Sequence, residues 1–176
     1  MFRFRVLPGL PPYGPFPEQY SSTGRGQHRE GLVVEFLPKG ADSWVGNFQR
    51  GLTAYDRVLN VPRSNRIIVV AGGQAYELDP VTRHCERTFG AQIMQAWSIE
   101  DVLVFSNGLW MEAIGCSGLK WRSRRISWDG FRSLRLEGGK ISGESWNPVD
   151  DEWEPFSLSI ATGEVEGGSY PPELPR

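Results

Sequence analysis

Glycine and proline interrupt this chain so often that long helices have little room. The sequence carries 21 glycines and 13 prolines among 176 residues, together about a fifth of the chain. Glycine supplies the positive φ of tight turns, and proline fixes φ and lacks a backbone donor. Between these breaks lie short runs rich in β-branched and aromatic residues: GLVVEFL (31–37), SWVGNFQ (43–49), RIIVV (66–70), QAYELD (74–79), DVLVF (101–105) and LWMEAI (109–114). Runs of four to seven such residues, each closed by a turn signal, read as strands. The expected class is all-β: an antiparallel meander of about ten short strands, forming a small or partial propeller-like sheet or a β-sandwich.

The segment 119–146 makes the most specific forecast. Asp129-Gly130 and Gly138-Gly139 both suit type I′ hairpin turns. They predict three consecutive paired strands over 119–128, 131–137 and 140–146. Residues 90–101 (GAQIMQAWSIED) are the best place for one short helix.

The ends differ in composition. Pro8, Pro11, Pro12, Pro15 and Pro17 crowd the start, followed by the polar SSTGRGQ. Residues 1–30 therefore read as an extended Pro-rich arm and linker, barred from any central strand. Residues 31–170 read as a single all-β domain and 171–176 as an irregular tail. Open sheet edges need cover, so the arm is also suited to adding a strand to a neighbour's sheet.

Charge and hydropathy narrow the function. Lys and Arg number 19 against 21 Asp and Glu, a formal charge of −2, which argues against a nucleic-acid coat or a polybasic membrane binder. A 39% hydrophobic share is enough for a packed core. No secretory h-region and no apolar run near the ~20 residues of a bilayer span is present, so the expected location is cytoplasmic, with no membrane partner. Cys85 and Cys116 form no CxxC pair and read as reduced thiols.

Catalytic signals are sparse. His28 sits in the polar linker, and His84 adjoins Cys85, where strand neighbours point to opposite faces. GCSG, around Cys116 and Ser117, is a turn by composition, and no recognised nucleophile, zinc or phosphate-loop motif occurs. No cofactor is expected and no metal site is assigned.

Two charge clusters stand out. Residues 144–176 carry eight acidic residues against one arginine, with Asp150, Asp151, Glu152 and Glu154 close together. Residues 120–140 carry seven basic residues against two acidic ones, interleaved with Trp121, Trp128 and Phe131. On a strand, Arg122, Arg124, Ile126 and Trp128 would share one face, and Trp121, Ser123, Arg125 and Ser127 the other. Such a face serves protein contacts, cross-strand pairing with acidic neighbours, or stacking of bases. Trp146 and Trp153 flank the acidic turn, and tryptophan and arginine are enriched where proteins bind. The interaction candidates are Trp121, Arg122, Arg124, Trp128, Trp146, Asp150, Asp151 and Trp153.

Three segments repeat a form of apolar strand, tight turn and return strand: GGQAYELDPVTRHCER, SNGLWMEAIGCSGLKWR and DEWEPFSLSIATGEVEG. Aligned on Thr82, Ser117 and Thr162, they are spaced 35 and 45 residues apart (117 − 82 and 162 − 117), a spacing typical of one propeller blade. AIGCSGLKWR and SIATGEVEG in particular resemble the strand–turn–strand of quinoprotein-type β-propeller repeats, a hydrophobic strand followed by Asp, two residues, Thr-Gly and a Trp. The Asp position is kept only as Asp79, the Gly only as Gly118 and Gly163, and the aromatic only as Trp121. The stretch from ISWDG to the tail is also similar to bacterial β-rich proteins of uncharacterised function. These readings lead to a non-enzymatic bacterial binding protein with a protein partner, of immunity or accessory type. The alternatives are a carboxylate- or metal-using enzyme or small-molecule binder at the acidic loop, and single-stranded nucleic-acid binding on the basic hairpin.

Overall fold

The computed structural model describes residues 1–23 and 29–173. His28 lies outside the described residues. The chain forms two compact units, Met1–Met94 and Gln95–Arg176. Each holds two four-stranded sheets, and all described regular structure is β.

In the first unit, sheet 1 is built from β1 (Arg3–Leu7), β2 (Glu18–Tyr20), β3 (Leu32–Leu37) and β4 (Trp44–Phe48), in the order β1-β3-β4-β2. The prolines of residues 8–17 fall in the loop between the two edge strands, where missing donors do no harm. β2 runs parallel to β4, and every other strand pairing among the described residues is antiparallel. Both arm strands pair within their own chain. Sheet 2 is a simple meander of β5 (Arg57–Asn60), β6 (Ile67–Ala71), β7 (Gln74–Leu78) and β8 (Cys85–Phe89). β6 and β7 are buried along their whole length, which explains the unbroken apolar run of RIIVV.

In the second unit, sheet 3 is the meander of β9 (Gln95–Ile99), β10 (Val102–Ser106), β11 (Met111–Gly115) and β12 (Gly118–Arg122). Sheet 4 is the meander of β13 (Phe131–Glu137), β14 (Lys140–Asn147), β15 (Glu152–Ser159) and β16 (Val165–Gly167). Four antiparallel strands in up-and-down order are the make-up of a propeller blade. The described strands number sixteen, above the ten expected, because several are only three to five residues long.

Two local expectations fail. The helix over 90–101 is instead β9, paired with β10 through a turn in which Glu100 has φ 47°. Trp97 and Ile99, two apart, face the core of the second unit, and that period of two prevails over helical spacing. The predicted strand over 119–128 ends at Arg122. Gly130 does take a positive φ of 86°, but the turn carries the chain from sheet 3 to sheet 4 instead of closing a hairpin. Ile126, fully buried, pins this crossing: its N–H donates to Leu109 and its carbonyl accepts from Tyr170. Gly138-Gly139 does close the β13–β14 hairpin, with φ of 57° and 74°.

The repeat seen in the sequence has a physical counterpart. In the β7–β8 turn, Arg83 N–H donates to the Asp79 carbonyl at 2.8 Å and Asp79 N–H to His84 at 3.0 Å. In the β15–β16 turn, Gly163 N–H donates to Ser159 at 2.8 Å and Ser159 N–H to Glu164 at 2.9 Å. Thr82 and Thr162 therefore occupy equivalent places. Ser117 sits at the corresponding end of sheet 3, in a tighter β11–β12 turn. Both long turns receive an indole from the preceding sheet. Trp44 Nε1 donates to the Pro80 carbonyl at 2.8 Å, and Trp121 Nε1 to the Ile160 carbonyl at 2.7 Å. These are the positions directly after Asp79 and Ser159. Buried indoles need such acceptors, so this contact locks sheet to sheet within each unit.

Each sheet also carries one Arg–Glu pair directly opposite in register: Arg5–Glu35, Arg87–Glu77, Arg122–Glu112 and Arg132–Glu144. Where such pairs are open to solvent, water and salt screen them and they add little to stability. Glu77 is different, because its side chain is fully buried.

Candidate functional site

The expected interaction residues divide by position. Trp121 is only 9% exposed and is occupied in holding the Ile160 turn. Arg124 is a clamp: its guanidinium donates to the carbonyls of Arg125 and Tyr170, at 2.8 and 3.0 Å, and to that of Gly167. Burial weakens its hold on the proton, and nearby Glu173 opposes that effect. Arg122 gives two hydrogen bonds to Glu112, at 3.0 and 2.7 Å. Trp128 is half-buried, tilted against Tyr170 at 4.6 Å, with Arg125 over both rings. Four arginines of the basic stripe, Arg122, Arg124, Arg125 and Arg132, are engaged within the fold by carbonyls or carboxylates.

Trp146 and Trp153 face each other across β14 and β15, with ring centroids 5.3 Å apart. Both are half-buried. The guanidinium of Arg132 lies 4.5 Å over Trp153 and is held there by two hydrogen bonds to Glu144. The backbone of Trp146 is fixed from both sides: its N–H donates to Ser127 Oγ at 3.1 Å, and its carbonyl accepts from Ser169 Oγ at 2.6 Å. A bulge between Arg132 and Arg135, with Ser133 at φ 54°, sets the direction of this end of β13. The aromatic pair is therefore preorganised.

The acidic turn beyond it is ordered by Asn147. Its Nδ2 donates to Asp150 Oδ2 at 2.9 Å and to Glu154 Oε1 at 2.5 Å, and its Oδ1 accepts from Val149 N–H at 3.0 Å. An amide donor thus stands between two carboxylates. Asp151 closes the turn at φ 57°. Val149 projects from the tip, 78% exposed. Among the described residues, no group of three or more His, Cys, Asp and Glu could hold a metal ion.

Arg132 hydrogen bonding holds the Glu144 carboxyl below its usual range. A lowered folded-state value means the pair stabilises above the unfolded value of about 4.3 and ceases to do so as pH falls through the folded value. The stability gap between the native chain and Arg132→Gln is therefore expected to be present at neutral pH and to close in the acid range below about pH 4. Urea unfolding at several pH values reads it, and a gap independent of pH would contradict it.

Neither cysteine forms a disulfide, and burial raises the Cys85 thiol above its ordinary value. Among the described residues, no helix is long and apolar enough to cross a membrane.

Sequence reasoning missed Val149, Arg132 as the partner of Trp153, and Arg125 as the partner of Tyr170. Strand register brings these together, and residue spacing does not show it.

No protein-family model matches the chain, and no curated protein matches it. Among solved structures, it is similar to Kluyvelomyces marxianus Hsv2, at 13% identity and a TM-score of 0.42, covering 77% of this chain and 41% of that one. It is also similar to Kluyveromyces lactis Hsv2, at 10% identity and a TM-score of 0.35, covering 77% of this chain and 56% of that one. A second Kluyveromyces lactis structure, of Hsv2p, gives 12%, 0.37, 79% and 57%. The chain spans about half the length of these proteins.

Proposed function

We propose that this chain is a non-enzymatic binding protein whose partner is another protein, engaged by the Trp146–Trp153 end of sheet 4. The supporting observation is a preorganised, half-exposed tryptophan pair capped by arginine, next to an exposed valine on a rigid turn. Aromatic and arginine anchors of this kind dominate binding energy when a partner removes them from water. Asp150 and Asp151, at the tip, supply a polar rim. Of the other sequence candidates, Trp128 belongs to the adjoining Arg125–Tyr170 cluster, whereas Trp121 and Arg124 serve the fold.

The carboxylate-enzyme reading has less support, since Asn147 occupies the space between Asp150 and Glu154. An immunity or accessory role in a bacterial cytoplasm fits a small binding protein of this kind and is part of the proposal.

A photoreactive benzoylphenylalanine at position 149, expressed in the source cell, tests the site. The expected result is one discrete protein adduct on illumination, lost when Trp153→Ala is added. No adduct, or an adduct indifferent to Trp153→Ala, would remove the proposal.

A further inference from the structure

The first unit has a cleft that the proposed function does not use. It measures about 570 Å³, within the range of ligand-binding pockets. The loop of residues 8–17 forms one wall with Tyr13 and Phe16, which are 90% and 99% exposed. Five of the eleven exposed large apolar residues among those described fall within residues 1–16, which marks this end as a surface in wait of cover. Proline at positions 11 and 15 restricts the backbone of this wall. Trp44 lies at the base, stacked on Phe36 at 4.3 Å.

The charges of the cleft decide what it accepts. Arg5 is matched by Glu35 at 2.5 Å, and Arg83 by Glu18 at 3.2 Å. Asp42 is the remaining charged group of the lining, and among the described residues no hydrogen bond or ion pair reaches its carboxylate. The lining thus carries one uncompensated negative charge beside exposed aromatic faces. That combination favours a cation, because ring faces attract positive charge and a carboxylate completes the pairing.

Arg83 adds an independent observation. It stands where the equivalent turn of sheet 4 has Gly163, and it keeps the left-handed φ of 62° that glycine adopts without strain. Its guanidinium lies over Trp44 at 5.6 Å and its carbonyl accepts from the Tyr20 hydroxyl at 2.7 Å. Its side chain lines the cleft beside Glu18.

We infer that this cleft binds a peptide segment through an arginine side chain, with the guanidinium paired to Asp42 and stacked on Tyr13 or Phe16. A planar guanidinium suits stacking and two-point carboxylate contact better than an ammonium does.

The test is a titration of the full, nitrogen-15-labelled chain with acetyl-Gly-Arg-Gly-amide, following the backbone amide signals of Tyr13, Gly14, Asp42 and Ser43. Saturable shifts are expected with a dissociation constant of about 1 mM, as befits a single anchored side chain. Asp42→Asn should weaken binding about fivefold, and 0.5 M salt should weaken it in the same direction. Tyr13→Ala, at an exposed position where folding is not at stake, should weaken it likewise. Acetyl-Gly-Gln-Gly-amide should leave the signals in place. The inference is overturned by absence of saturation, by an equal response to the glutamine peptide, by affinity indifferent to Asp42→Asn, or by a neutral oligosaccharide binding there instead. The second unit carries the proposed partner site, so either result leaves the crosslinking experiment independent.

Discussion

Glu77→Gln is expected to destabilise the chain by about 3–5 kcal/mol, the usual loss when one partner of a buried ion pair is removed. Glu77 sits on β7 with no exposed side-chain surface. Arg87 Nε donates to one of its oxygens at 2.6 Å, and Arg66 approaches the other as an ion pair without hydrogen-bond alignment. Arg66 also reaches Glu86 at 3.3 Å, but Glu86 is partly exposed and screened by water. Glutamine keeps the shape and removes the charge, leaving two guanidiniums without their shared counterion. Arg87 Nη2 already lies buried without a hydrogen-bond partner among the described residues, so it has no alternative acceptor. Urea unfolding monitored at residues of β6 and β7 reads the effect. A loss below about 1 kcal/mol would show that water reaches the group. Replacing Glu77, Arg66 and Arg87 together by apolar residues should recover much of the loss, since it removes the desolvated charges along with their attraction.

Gly163→Ala is expected to cost about 2–4 kcal/mol from two additive causes. Gly163 has φ +76°, and a Cβ there would lie 2.7 Å from ring atoms of Trp121. The indole must shift, and its 2.7 Å hydrogen bond to Ile160 is lost. A double-mutant cycle separates the causes. In a Trp121→Ala background, where the ring is gone, Gly163→Ala should cost only the backbone strain of about 1–2 kcal/mol. Equal costs in both backgrounds would mean that the ring and the turn do not interact.

How far the sequence foretells this molecule depends on the range of the interaction. Turn chemistry is local, and it was legible. Gly138-Gly139 closes a hairpin, and the Thr82 and Thr162 segments are the same turn in sheets 2 and 4. Even the Trp121 position of the resemblance proved to be an indole docked on a neighbouring turn. Asp129-Gly130 was misleading because an Asp-Gly turn is compatible with either a hairpin or a crossing between sheets. The burial of Ile126 decides between them, and that is a tertiary effect. The 90–101 segment failed similarly, since its strand character comes from pairing with β10.

The candidate site was legible in composition and its geometry was not. Trp146 and Trp153 flank a turn, so their meeting followed from hairpin pairing. That Trp121 is buried while Trp153 is half-exposed did not follow, because both lie in alternating, charge-rich segments. The Arg–Glu pairs depend on register, which a bulge of one or two residues resets. Asp42 and Tyr13 lie in different loops, before β4 and before β2, and line one cleft, so no spacing rule pointed to them.

Calorimetric titration of this chain against the protein crosslinked at position 149 tests the binding proposal most directly. Trp153→Ala should weaken the affinity by at least about thirtyfold, the signature of a central anchor. Val149→Asp, at an exposed turn tip, should weaken it as well while leaving the melting temperature in place. Undiminished affinity in both variants would place the binding surface elsewhere and contradict the account.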